Sequence, residues 1–60
     1  MIEDGVYAVT LIDGMFYRVE GDDIRVSVSD GEWVEPIIKT TRKTIKNWLD
    51  NGDLVMVGDL

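Results

Sequence analysis

VYAVTLIDGMFYRVEGDDIRVSVSDGEWVEPII, residues 6–38, is the stretch whose reading decides the fold. Apolar and polar residues alternate along it, the period of strands that bury one face. Three dipeptides interrupt the alternation: Asp13-Gly14, Gly21-Asp22 and Asp30-Gly31. Asp-Gly between apolar runs predicts a two-residue hairpin, because a type I′ turn needs positive φ at both central positions. Gly21-Asp22 suits a type II′ turn, with glycine first. The spacing therefore predicts four antiparallel strands, over residues 6–12, 15–20, 24–29 and 32–38.

If each loop holds two residues, the register follows by counting. Thr10 then faces Tyr17 and Ala8 faces Val19. Across the next turn Val19 faces Ile24 and Tyr17 faces Val26. Across the third, Val28 faces Trp33 and Ile24 faces Ile37. One apolar set falls on one side of the ribbon, and a one-residue slip would send it to the other. The outer side is left with Tyr7, Val9, Leu11, Phe16, Arg18, Arg25, Ser27 and Val34. Glu35 alone lands among the apolar set, beside Pro36, which cannot donate to a ladder; the fourth strand is therefore expected at a sheet edge.

After residue 38 the period changes. Thr40 or Thr41 can cap a helix that runs to about Asp50, with Gly52 as the stop. Ile38, Thr41, Ile45, Trp48 and Leu49 fall at helical spacing as its buried stripe. Residues 54–57, Leu-Val-Met-Val, predict a final strand beside the first, apolar enough to be covered on both faces. The expected fold class is mainly β with one α-helix. It comprises a four-strand antiparallel meander, a helix and a fifth strand, arranged as an SH3-like small barrel or a curved sheet packed on the helix. Residues 1–60 make a single domain.

The stretch TRKTIKNWLDNGDLVMVG, residues 41–58, resembles in outline the recognition helix and wing of excisionase-like and MerR-like DNA-binding proteins. Those proteins place a helix ahead of it, where this chain carries a meander, and membership is not adopted.

Composition removes several function classes. The chain has no cysteine and no histidine, so the usual zinc, haem and iron–sulfur sites have no ligands and no cofactor is expected. Glu20, Asp22 and Asp23, and the run Asp50–Asp53, lack the spacing of a calcium loop and read as turn chemistry. No nucleophile–base constellation is present, and 60 residues rarely enclose a pocket, so catalysis is not expected. No apolar run reaches the roughly 20 residues that span a bilayer, and the absence of cysteine fits a reducing compartment; the expected setting is cytoplasmic, without a membrane partner.

The net charge of −6 is unevenly placed. Residues 1–35 carry nine acids and two bases, residues 36–49 carry four bases and no acid, and residues 50–60 add three acids. Two candidate sites follow. The outer face, with Tyr7, Val9, Leu11, Phe16, Arg18 and Arg25, has the aromatic and arginine content of a contact surface for a protein partner or a second copy. The basic segment Lys39, Arg42, Lys43 and Lys46 could face the phosphates of a nucleic acid, or could simply pair with Glu20, Asp22 and Asp23. The leading expectation is a small, acidic, non-enzymatic protein-binding module or modulator, of the kind encoded by phages and mobile elements, that occupies a partner's surface. Nucleic-acid binding through the basic segment and the sheet arginines ranks second, and a structural or homo-oligomerising subunit third.

Overall fold

Two-residue turns do set one of the registers. In the computed structural model, which describes residues 2–29 and 31–59, strand β2 (Met15–Glu20) pairs with β3 (Asp23–Val28) through the turn at residues 21–22, with Gly21 at φ 60°. Val19 faces Ile24, Tyr17 faces Val26 and Met15 faces Val28, as the counting predicts.

The first strand does not keep its predicted register. β1 (Gly5–Val9) ends three residues early and sets Tyr7 against Tyr17 and Gly5 against Val19. The slip is odd, so it exchanges the two sides of β1: Tyr7 and Val9 join the core side, while Val6 and Ala8 turn outward. Magnitudes explain the choice. Closing a loop of two residues rather than five saves only about 0.8 kcal/mol of chain entropy. Burying a large side chain such as Tyr7 in place of Ala8 gains on the order of 2–3 kcal/mol. The longer loop is also held in place: the Thr10 amide donates to Asp53 O (2.9 Å), and Thr10 Oγ1 donates to Gly52 O (2.9 Å).

The predicted fourth strand is reduced to one bridge, Val26 with Val34, made by reciprocal amide–carbonyl bonds of 2.9 Å. Val34 rather than Glu35 therefore faces Val26, and Trp33 moves to the outer side, 38% exposed instead of in the core. Asp30 lies outside the described residues. Next to it Ser29 takes a positive φ of 55°, and the Gly31 amide returns to Val28 O. After Val34 the chain leaves the sheet, and Ile37 and Ile38 are exposed rather than packed.

Helix α1 (Arg42–Asn51) keeps its predicted caps and end, but of the predicted stripe only Ile45 is buried, Trp48 and Leu49 are partly so, and Thr41 and Ile38, both ahead of the helix, are exposed. Thr41 is the N-cap, forming a capping box with Thr44, and Gly52 closes the helix at φ 84°, returning its amide to Leu49 O. The last strand, β4 (Leu54–Gly58), pairs antiparallel with β1, so the sheet order is β3-β2-β1-β4. Gly5 is needed at this seam, because a Cβ there would stand 2.6 Å from the carbonyl oxygen of Gly58. Being an edge, β4 is not covered on both faces: only Leu54 is buried, and Val55, Met56 and Val57 are exposed.

The four described strands make one open sheet, with α1 across one side. Tyr7, Tyr17, Val19, Ile24, Val26 and Leu54 form the core with Ile45 of α1, and Trp48 and Leu49 pack against its margin. The Trp48 ring lies 5.4 Å from that of Tyr17, within the range of a favourable aromatic pair. No helix among the described residues is long and apolar enough to cross a membrane.

Candidate contact surface

One helix cannot cover two faces of a sheet. Because α1 packs on the side of Tyr7 and Tyr17, the other side of the sheet has no element of the described chain laid across it. The registers determine what that side carries. Val55 faces Ala8, Ala8 faces Phe16, and Phe16 faces Ser27. The bridge at Val26 and Val34 then brings Trp33 alongside Ser27. These residues form one row at one level across the sheet. With strands about 4.8 Å apart, Val55 and Trp33 stand roughly 19 Å from each other.

Exposure varies along the row. Val55 is 47% exposed and Trp33 38%, while Phe16 and Ala8 between them are half-buried. Ser27 is buried because the loop beside it folds over, and its hydroxyl donates to Gly31 O at 2.7 Å. Its polar group is thus satisfied within the chain, and the row presents mainly carbon to its surroundings.

The next row is charged. Val6 faces Arg18 and Arg18 faces Arg25, two like charges directly across a strand pair. Such a pair is destabilising unless countered. Here each arginine has an acid two residues along its own strand and on the same side: Arg18 Nη2 to Glu20 Oε1, and Arg25 Nε to Asp23 Oδ1, both 3.0 Å. Both arginines beside the apolar row are thereby paired rather than left as free cations.

Of the six outer-face residues expected from sequence, Phe16, Arg18 and Arg25 lie where predicted. Tyr7 does not. It is 2% exposed in the core, its hydroxyl donates to Glu3 O, and burial, followed by the Glu3 charge, pushes its pKa above the ordinary tyrosine value. Val9 packs against the core margin, and Leu11 projects from the 10–14 loop, 86% exposed and outside the row. All three corrections have the same cause, the odd register slip of β1 and its end at Val9. Their places are taken by Val6, Ala8, Val55 and Trp33, which the counting missed. The one sequence signal for the exchange is that Tyr7 and Val9 offer more apolar surface to bury than Ala8 and Thr10; the alternation itself does not carry it.

The basic segment is dispersed. Lys39 lies ahead of α1, in a cleft of about 360 Å³ shared with Asp22, Asp23 and Glu35. Arg42 is engaged within the chain at the surface: Nη1 donates to Asp4 Oδ1 (2.7 Å) and Gly21 O (2.6 Å), and Nη2 donates to Ile2 O (2.6 Å). Lys46 pairs with Asp50 one turn on, at 2.7 Å. Thus the helix does start beside the 21–22 turn, but Arg42 chooses Asp4 over Glu20, Asp22 or Asp23. Lys43 is exposed and makes none of the described ion pairs.

A second concave surface opens at the end of the core, where Met15, Tyr17 and Trp48 line two adjoining apolar clefts of about 320 and 450 Å³. Among the described residues no group of three or more acids could hold a metal ion. No family model, characterised protein or solved structure matches the chain.

Proposed function

We propose that this chain is a small, acidic, non-enzymatic module that binds another protein through the outer face of its sheet. The observation that carries the proposal is the row Val55, Ala8, Phe16 and Trp33. Val55, Ala8 and Phe16 form an aliphatic and aromatic strip there, separated from Trp33 by the buried Ser27, with Arg18 and Arg25 in ion pairs alongside, and neither α1 nor any strand of the described chain lies across it. Aromatic anchors beside arginine make up the centre of many protein interfaces, and a contiguous uncovered apolar strip on a small protein usually marks one. The surrounding carboxylates, within a net charge of −6, favour a basic target and raise the rate of encounter. Nothing in this proposal requires the sheet to close into an SH3-like barrel, since an open sheet presents the face equally well. A cytoplasmic setting belongs to the same proposal, in keeping with a chain free of cysteine.

Nucleic acid is the weaker partner class. Four of the six cations that would serve it, Arg18, Arg25, Arg42 and Lys46, already have carboxylate partners within the chain.

Affinity capture from cell lysate, followed by mass spectrometry, tests the proposal when wild type, Phe16→Ala and Lys43→Ala are compared. The expected outcome is a protein captured by wild type and Lys43→Ala and lost with Phe16→Ala, while Phe16→Ala keeps a cooperative thermal transition. Capture that survives Phe16→Ala but fails with Lys43→Ala, or that yields only nucleic acid, would contradict it.

A further inference from the structure

The two edges of the sheet differ in how they are protected. β3 is blunted by the Val26–Val34 bridge, by Asp23 and Arg25 on the strand, and by the crossing chain with Pro36. Among the described residues β4 pairs only with β1, and it has no charged residue from Leu54 to Gly58. Its one irregularity is a bulge at Val57, the extra residue between the Tyr7–Met56 and Val6–Gly58 pairs. Natural sheets rarely leave an apolar edge unguarded, because its free amides and carbonyls template a further strand.

We propose that β4 takes a short, extended, lysine- or arginine-bearing segment of the partner protein as a fifth strand. This inference rests on the outer-face binding proposed above and names the chemistry of what binds there. Each side of the edge specifies part of the incoming segment. On the outer side Val55, 47% exposed, calls for an apolar residue that prolongs the row of Ala8 and Phe16, and Val57 at the bulge adds a further exposed apolar side chain, 56% exposed. On the helix side Ile2, Leu49 and Met56 line a groove of about 340 Å³ together with Glu3 and the paired Asp50 and Lys46. A lysine or arginine of the incoming strand fits that groove, its aliphatic stem along Leu49 and Met56 and its charge toward Glu3. Strand geometry sends successive side chains to opposite sides, so the segment that satisfies both has alternating apolar and basic residues.

Charge also argues against a second copy as the occupant. Pairing Leu54–Gly58 with itself in full antiparallel overlap sets Asp53 of one chain against Asp59 of the other, at both ends, between two bodies each of net charge −6. Acids flank the edge at Asp53 and Asp59 and line its groove at Glu3 and Asp50, and the single base there, Lys46, is tied to Asp50. A cationic segment relieves this charge.

The test is a titration of isotope-labelled protein with the capped peptide Lys-Val-Lys-Val-Lys-Val, followed by amide resonances, beside its Glu-Val counterpart. The expected result is a saturable shift of the Leu54–Gly58 amides with the lysine peptide only, weakened by added salt and reduced about tenfold in affinity in Val57→Lys, an exposed change that leaves the core untouched. No response at β4, an equal response to the glutamate peptide, or a stable dimer of the free protein in light scattering would overturn it. Phe16→Ala separates this inference from the one beneath it. Shifts at β4 with unchanged partner capture by Phe16→Ala would sink the outer-face proposal, and this inference with it as a partner site. Loss of capture with no shift at β4 would sink the edge proposal alone.

Discussion

Arg42 supplies three hydrogen bonds that join segments distant in the chain: to Asp4, to the carbonyl of Gly21 and to that of Ile2. Asp4 in turn accepts from the Gly21 amide at 3.2 Å, so the approach to β1, the 21–22 turn and the start of α1 meet at one guanidinium. That donor, and after it the Gly21 amide, hold the Asp4 carboxyl below its ordinary value of 3.8. A depressed carboxylate pKa adds stability that is fully present above the ordinary value and is lost as the pH falls through the lower folded-state value. The melting-temperature difference between wild type and Asp4→Asn should therefore hold steady from neutral pH to about pH 5, then shrink as the pH drops below about 3.8. A difference that persisted or grew in acid would refute the clamp. Single residues also explain why the basic segment is a poor guide to function. Read in sequence, Arg42 is one of four clustered cations; in the fold its guanidinium is taken up by Asp4 and two carbonyls of the same chain.

Elements were legible to the extent that their signals are local. The 21–22 turn joins strands with no intervening residue to spare, so counting from it places Tyr17 opposite Val26 correctly. Helix α1 carries its own boundaries in Thr41 and Gly52, and both act as expected. Replacing Thr41 with Ala should lower unfolding stability by about 1 kcal/mol in urea titrations, since the hydroxyl satisfies the Thr44 amide and its partner in the box. A change below a few tenths would mean the box contributes nothing. The loop at residues 10–14 was not legible, because what widens it is tertiary: Thr10 bonds to Gly52 and Asp53, more than 40 positions away. The same holds for the fourth predicted strand. An Asp-Gly turn and an apolar run were present, but Glu35 and Pro36 interrupt the run, and the chain keeps only the bridge at Val34 before crossing to α1.

For the molecule as a whole, the decisive fact is that the described residues form one helix and one sheet, and the sheet has two sides. The alternation in the sequence shows that the sides differ, and places Phe16, Arg18 and Arg25 together on the outer one. It cannot show which side of β1 joins them, because that depends on an odd or even slip decided by packing against α1 and β4. Moving Tyr7 and Val9 inward and Val6 and Ala8 outward turns a mixed patch into the apolar row from Val55 to Trp33. The proposed function follows that row, and the open edge of β4 lies at its end.

Urea unfolding of Tyr7→Ala and Phe16→Ala side by side tests this arrangement most directly. Tyr7→Ala should lose about 3–5 kcal/mol, as a truncation in the middle of the core, and Phe16→Ala about 1 kcal/mol, as a half-buried side chain on the uncovered face. If instead Phe16→Ala unfolds the protein while Tyr7→Ala leaves it near wild-type stability, the two sides of the sheet have been exchanged and the contact surface is the core.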